Sequence, residues 1–363
     1  MPVRFTRKHI ASQPFESAGV CDVDGDGVLD IVSGSYWYQG PDFRKMHFIG
    51  DTRRAGEYND DFSTIILDVD GDGRPDVITG GWWGDNLRWW KNPGKTGAPW
   101  SQHIIAAGIG SIESTRAWDI DGDGVVEIVP NTPGAPLCAY RLVRDAAGKG
   151  SGAFTKHVIC SQPIGHGLGF GDIDGDGRGA FITPKGILRQ PAGGPFAGEW
   201  TFSEEFDLMD ASVPIIVADV DGDGVMDLIV GRAHSYGLDW LQQRRNPDGT
   251  RSWIRHAIDP FNSQYHDLQW ADIDGDGKPE LITGKRFRAH CGNDPGEFDD
   301  VGTYYFKWTG SGFAKQVISY GPAGVGKGCG IHFALADLRG TGRLDVIAPG
   351  KDGLDVFYND GNQ

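Results

Sequence analysis

The stretch Asp22-Val23-Asp24-Gly25-Asp26-Gly27-Val28-Leu29-Asp30 places carboxylates at positions 1, 3, 5 and 9 of a nine-residue loop. Its two glycines allow the tight turn that directs those side chains toward one point. Calcium takes about six to eight oxygens in a flexible shell, and such a loop supplies carboxylates plus a main-chain carbonyl near position 7. The phrase recurs at Asp68, Asp119, Asp172, Asp219, Asp272 and Asp337, at intervals of 46, 51, 53, 47, 53 and 65 residues. A period of about 50 residues suits four short strands, one blade of a β-propeller.

Each repeat reads the same way outward from its loop. An apolar strand enters, as in Ile215-Ile216-Val217-Ala218, and a second leaves, as in Asp227-Leu228-Ile229-Val230-Gly231. An aromatic-rich third strand follows, such as Leu238-Asp239-Trp240-Leu241, and then a fourth with a recurring aromatic and His, as in Trp100–Ile104, Phe154–Val158 and Trp253–Ile258. Alternation with intervening Gly marks strands, and no segment keeps a helical period. The chain opens on Phe5-Thr6-Arg7-Lys8-His9-Ile10, a fourth strand with no blade before it. It closes on Leu354-Asp355-Val356-Phe357-Tyr358, a third strand with no fourth after it. Pairing the two completes the last blade and hides both sheet edges. The expectation is an all-β, seven-bladed propeller forming a single domain over residues 1–363.

The expected metal ligands are Asp22, Asp24, Asp26 and Asp30 in loop 1, and Asp68, Asp70, Asp72 and Asp76 in loop 2. Loop 3 offers Asp119, Asp121, Asp123 and Glu127, and loop 5 Asp219, Asp221, Asp223 and Asp227. Loop 6 offers Asp272, Asp274, Asp276 and Glu280, whereas loop 4 keeps Asp172, Asp174 and Asp176 but has Ala180 at position 9. In loop 7 Arg339 replaces the position-3 carboxylate, so no ion is expected there and an internal Arg–Asp pair takes its place. Up to six structural Ca²⁺ follow, one of them weakly held. These loops contain 23 of the 50 acidic residues, so bound ions would offset most of the −16 net charge. Their role is to staple each blade.

The loop phrase resembles the FG-GAP/VCBS repeats of integrin-type and secreted bacterial propellers, over the whole chain. That resemblance implies the fold and not an activity, since such repeats serve adhesins, receptors and carbohydrate lyases alike.

Composition narrows the rest. Gly at 56 and Pro at 20 fit many strands joined by turns, and 12 Trp argue against disorder. The negative charge excludes a nucleic acid backbone as partner, and no apolar run is long enough for a transmembrane segment. Cys21, Cys138, Cys160, Cys291 and Cys329 are odd in number and lack a CxxC pair, which speaks against a disulfide framework. The N-terminus lacks a secretory h-region, whereas calcium sites of this kind fill most readily outside the cytosol. A periplasmic or secreted location is expected if a leader was removed, and a cytoplasmic one otherwise. Oligomeric state is left open.

Function is sought where the repeats differ. His9, His47, His103, His157 and His256 occupy the fourth-strand position and read as structural. The other five do not repeat. His166, His266 and His332 precede innermost strands, and His234 and His290 lie in second-to-third-strand connections, so all five are expected at one mouth of the propeller. A lone His there would be a channel filler, but five converging point to a site. Blade 6 carries the longest insertion, from Thr283 to Glu297, and concentrates Lys285, Arg286 and Arg288 in an acidic protein. Lys185 and Arg232 hold matching places in blades 4 and 5, with Tyr236 close by. Trp37, Trp82 and Trp83 offer flat faces that suit either sugar rings or packing within the blades, and Tyr58 and Glu113 stand in loops leading into blades 2 and 3.

Three readings follow. The first is a carbohydrate lyase working by β-elimination on a uronate or keto-sugar, which needs a base, a cation for the enolate and an acid. The phrases Gly165-His166-Gly167 and Gly284-Lys285-Arg286…His290…Asp294-Pro295-Gly296 resemble propeller lyases of the aldos-2-ulose (1,5-anhydrofructose) dehydratase and rhamnose–glucuronate lyase groups. The match does not extend to the dehydratase's cupin domains. Under this reading His166 is the base, Tyr58 the acid, Lys285 and Arg288 stabilise the enolate, and Trp82 and Trp83 hold the sugar. An additional divalent metal could be shared by His166, His266 and His332, or a zinc held by Cys329, His332, His290 and Cys291. The second reading is a non-catalytic glycan- or protein-binding propeller stabilised by calcium. The third is a purely structural domain, which leaves the cationic insertion unexplained.

Overall fold

The computed structural model describes residues 2–362. It is all-β and contains seven four-stranded sheets, each ordered as an antiparallel meander, which is the blade pattern of a β-propeller. Blade 1 runs through Gly19–Cys21, Asp30–Ser33, Tyr36–Gln39 and Lys45–Phe48, and blade 5 through Ile216–Ala218, Asp227–Gly231, Tyr236–Arg245 and Arg251–Ser263. The N-terminal strand Val3–Ala11 pairs with Leu354–Asn362, in register from Val3 opposite Asn362 to Ala11 opposite Leu354. Blade 7 is thus completed by the first strand of the chain, as its sequence requires. A short ribbon, Arg54–Ala55 with Tyr58–Asn59, stands apart from the blades. Among the described residues no helix is long and apolar enough to cross a membrane.

By its contacts the chain divides into two compact units. One takes Val3–Pro163 and the chain from Gly330 onward, and so holds blades 1, 2, 3 and 7. The other, Ile164–Cys329, holds blades 4, 5 and 6.

The second strand of each blade is its most buried element. Asp76–Gly80, Glu127–Asn131, Asp227–Gly231 and Glu280–Gly284 are buried at every residue. Four of these five-residue strands begin on the position-9 carboxylate, so an acid opens a wholly buried strand. The carboxylate is satisfied locally. Asp30 accepts the Val23 N–H at 2.8 Å and the Gly40 N–H at 2.7 Å, and Asp76 accepts Val69 and Asn92 in the same way. It therefore ties the loop to the third strand, and leaving it unpaired would cost about 1–3 kcal/mol or more.

The repeating histidines also have a packing reason. His47 stacks on Trp37 with ring centroids 4.1 Å apart, His103 on Trp89 at 4.5 Å and His256 on Trp240 at 4.4 Å. Each pair joins a third strand to a fourth across the ladder.

Candidate functional site

The loops are held together by their own carboxylates. Asp22 accepts N–H groups from Gly25, Asp26 and Gly27 at 2.8–3.1 Å, and Asp68, Asp119 and Asp272 repeat this. Gly25 and Gly27 have φ of 77° and 86°, a region that favours glycine. Ligand oxygens of positions 1, 3 and 9 lie within 4.8 Å of one another in loops 1, 2 and 3. Asp24 Oδ1 and Asp70 Oδ1 are buried without a hydrogen-bond partner, as metal-facing oxygens would be.

Third-strand side chains complement the loops unequally. Loop 1 receives a neutral amide, Gln39 Nε2 on Asp24 at 2.8 Å. Loop 2 receives Lys91 on Asp70, loop 3 Arg141 on Asp121 and Asp123, and loop 6 Lys307 on Asp274, Asp276 and Glu280. In loop 4, Asp174 is gripped by both Arg189 and Arg251. In loop 7, Arg339 donates to Asp345 at 3.1 Å, to Asp360 at 3.1 Å and to the Asn359 carbonyl at 2.7 Å. The guanidinium stands inside that loop as the sequence implied.

Four of the five non-repeating histidines come together in the unit of blades 4–6. Ring centroids of His166 and His234 are 4.5 Å apart, His234 and His266 5.1 Å, and His234 and His290 4.0 Å. A ligand nitrogen from each of His166, His234 and His266 falls within 4.8 Å of the others. Each ring is oriented by an acceptor at Nδ1. His166 faces the Ala211 carbonyl at 2.9 Å, and Asp294 accepts from His234 at 2.9 Å and from His290 at 3.1 Å. Acceptors at Nδ1 place the proton there and leave the lone pair on Nε2, the tautomer suited to a base or a metal ligand. His266 differs. Its Nδ1 faces the Gln264 carbonyl at 3.3 Å, and its Nε2 accepts from Arg286 at 3.0 Å. Burial first, then Arg286 and the neighbouring rings, holds His266 well below the usual imidazole range, so it is neutral.

The blade 6 insertion is braced for this purpose. Buried Glu297 accepts the N–H groups of His290 and Gly292, and Gln264 donates to the Pro295 carbonyl at 2.6 Å. Lys285 is fully buried, and its ammonium donates to the carbonyls of Gly296 and Asp299. It is spent on holding the insertion, so the cation beside the histidines is Arg286, not Lys285. Arg288 lies farther along, with its guanidinium 5.9 Å from the Phe298 ring centre. Asp294 and Arg286 escaped selection in the sequence. The four-residue spacing from His290 to Asp294 was the available signal.

Beside His234 opens a cavity of about 430 Å³, lined by Met209, Arg232, Tyr236, Asp239, Arg255 and Pro260 among others. Arg232 and Arg255 approach Asp239 at 3.3 and 3.7 Å, and Tyr236 donates its hydroxyl to Asp299 at 2.5 Å. Lys185 is an exposed partner of Asp207.

The remaining expected residues lie in the other unit. His332 is half-buried, and its Nδ1 accepts the Thr64 N–H at 3.0 Å, which engages the lone pair a metal would need. Cys329, its expected zinc partner, belongs to the unit of blades 4–6 and contacts Thr303. Trp37 is buried against His47 and offers no open face to a sugar. Glu113 is buried at the entrance to blade 3. Tyr58 carries the Lys351 ammonium 3.9 Å from its ring centre on one side and Trp83 at 4.7 Å. Trp82 is 39% exposed.

The FG-GAP-like repeat profile matches residues 68–129 and 219–283, so these segments carry FG-GAP-like repeats. No curated protein matches the sequence. Among solved structures, BBS1N in complex with ARL6DN is 12% identical, with a TM-score of 0.54 over 100% of this chain and 98% of that one. Sqt1 of Saccharomyces cerevisiae is also 12% identical, with a TM-score of 0.51 and 99% of each chain covered. An Agrocybe aegerita lectin specific for non-reducing terminal N-acetylglucosamine is 17% identical at a TM-score of 0.49, covering 98% of this chain and 92% of that one. At these identities the likeness to BBS1N and Sqt1 shows the fold alone.

Proposed function

We propose that the protein is a calcium-stapled binding propeller that takes a saccharide in the cavity beside the histidine centre of blades 4–6. The observation that carries this reading is the cavity wall. Arg232, Arg255 and Asp239 present donors and acceptors side by side, Tyr236 adds a hydroxyl, and Met209 and Pro260 add apolar surface. Such a mixture suits adjacent sugar hydroxyls and the C–H face of a ring. The full-length likeness to BBS1N, solved with a protein bound, supports a binding role for a chain of this fold.

Carboxylates at positions 1, 3 and 9 would hold Ca²⁺, and the buried unpartnered oxygens of Asp24 and Asp70 support that fit. The ions would displace Lys91, Arg141 and Lys307 from their loops.

The test is calorimetric titration with a panel of neutral and uronate-containing oligosaccharides. Saturable binding is expected, weakened roughly tenfold or more by Arg232→Ala, for loss of a charge-assisted hydrogen bond. If no saccharide on the panel binds the calcium-loaded protein, the reading is wrong.

A second reading, β-elimination, is favoured by the tautomer of His166. Its Nε2 would remove the proton α to a carboxylate or ketone, the electron pair would form the C=C bond, and the β-oxygen would leave as a hydroxyl. Arg286 supplies positive charge for the enolate, and Tyr236 is the phenol bordering this centre. A divalent ion held instead by the Nε2 atoms of His166 and His234 would supply Lewis acidity, and His166 would then be a ligand in place of a base. New ultraviolet absorbance from an unsaturated product, abolished by His166→Ala, would establish elimination. Binding without that absorbance leaves the first reading.

A further inference from the structure

We propose a second binding site, in the unit of blades 1, 2, 3 and 7, for a small carboxylate with a compact apolar body. It does not depend on the saccharide reading. The site is a cavity of about 210 Å³ on blade 3, lined by Ile109, Pro130, Ala135, Cys138, Tyr140 and Lys156 among others.

Its walls are built in advance of any ligand. On one side Gly108 and Gly110 donate their N–H groups to Asp85, at 2.9 Å to its carbonyl and 2.6 Å to its side chain. Gly110 has a φ of 92°, and a Cβ there would meet Ala135 at 2.9 Å, so the segment can lie this close only as glycine. On the other side the turn between second and third strands is closed by Ala135 N–H on the Thr132 carbonyl at 3.0 Å and Thr132 Oγ1 on the Pro136 carbonyl at 3.1 Å.

One buried polar group of the wall has no structural use. Tyr140 is 2% exposed, and its hydroxyl is buried without a hydrogen-bond partner among the described residues. The phenol oxygen is not needed for packing, because blades 6 and 7 place Phe306 and Phe357 at the same register, opposite the residue after the position-9 acid. A buried hydroxyl that packing does not require, left unpaired at a cost of about 1–3 kcal/mol, calls for a partner. Lys156, an exposed residue, stands directly across the ladder from Tyr140 and lines the cavity. Among the described residues of this wall it alone carries a charge. One phenol donor and one ammonium match the two oxygens of a carboxylate. The apolar remainder of the wall matches a small hydrocarbon body, since a cavity of about 150 Å³ holds benzene. Benzoate has the size and charge this predicts.

The experiment titrates the full-length, calcium-loaded protein with benzoate, butyrate and the neutral isostere benzamide, read by calorimetry and by isoleucine methyl NMR. Benzoate should bind saturably and shift the Ile109 methyl while leaving Ile187 of blade 4 unmoved. Benzamide should bind at least about tenfold more weakly, as should benzoate to Lys156→Met. Tyr140→Phe should cost roughly tenfold in benzoate affinity with no loss of thermal stability, because Phe already fills this register in two blades. Tyr38→Phe is the control. Its buried hydroxyl is also unpartnered but lines a different cavity, on blade 1, and its loss should change nothing. Equal binding of benzoate and benzamide, an unshifted Ile109, or an unaffected Tyr140→Phe would each overturn the proposal. Absence of saturable binding by both carboxylates would do so as well, and would mean that water alone satisfies Tyr140.

Discussion

Loop 1 and loop 7 form the same turn with opposite contents. In loop 1, Asp22 gathers three backbone N–H groups, Asp30 pins the loop to the third strand, and Asp24 keeps one buried oxygen unpartnered beside a neutral Gln39. In loop 7, Asp337 gathers Thr341 and Gly342, Asp345 pins Leu338 and Asn359, and Arg339 reaches into the carboxylates. The turn is therefore set by position 1 and by its glycines, since loop 4 forms it with Ala180 at position 9. Under the calcium reading, positions 3 and 5 would decide whether its charge is balanced by an ion or by a side chain. Loops 2, 3 and 6 stand between these extremes, each with a Lys or Arg at hand.

The largest effect should come from removing calcium. Chelation is expected to lower the melting temperature of the whole protein, since each site filled to a hundred times its dissociation constant contributes about 2.7 kcal/mol. An unchanged melting curve in excess chelator would erase the distinction between loops 1 and 7. Next, Arg339→Ala should destabilise blade 7 by about 1–3 kcal/mol, because it strips the side-chain donor from the buried Asp345, as denaturant unfolding would show. The same variant should not gain calcium, having no third carboxylate. Converting loop 1 toward loops 2 and 6 with Gln39→Lys should weaken its calcium site, lowering the calcium bound at subsaturating concentration by up to about one ion per chain in equilibrium dialysis, with a stability loss in calcium of at most ~1 kcal/mol. If the calcium count holds, the third-strand cation is not what grades the loops.

The smallest effect concerns pH. His266 and His332 are held well below their ordinary value of 6.5, chiefly by burial. Unfolding lets each take up a proton below that value, so both contribute stability that is complete above pH 6.5 and erodes as pH falls beneath it. Asp61 acts in the opposite direction. It is buried, with its carboxyl raised to about 6, and the stability it contributes in acid is lost as pH rises through that value. Melting temperature should decline on acidification below pH 6.5, and His332→Gln should flatten the decline. A curve that instead rises toward acid would mean that Asp61, together with the position-9 carboxyls Asp30, Asp76 and Asp227, each also raised to about 6 by burial, outweighs the histidines.

Much of this was legible beforehand. The seven sheets, the partnering of Val3–Ala11 with Leu354–Asn362, the Arg339 substitution and the structural role of His47, His103 and His256 all follow from repeated spacing. The histidine cluster was legible only in part. His166, His234, His266 and His290 do gather, but His332 turns its Nδ1 to the Thr64 amide. Lys285 was assigned the wrong role, and Trp37 was left open between sugar binding and blade packing, for a common reason. A residue's type gives its chemistry but not its burial, and both are enclosed, one capping carbonyls and the other stacked on a ring.

Periodic features were determined by sequence alone, because seven copies of one turn leave a strand pattern little freedom and a repeated carboxylate spacing has one geometric meaning. What tertiary structure decided was the non-periodic remainder: which cation faces His266, which nitrogen of each imidazole keeps its lone pair, and that Tyr140 is buried with an unanswered hydroxyl. Those depend on distances between residues far apart in the chain, and no local pattern encodes them.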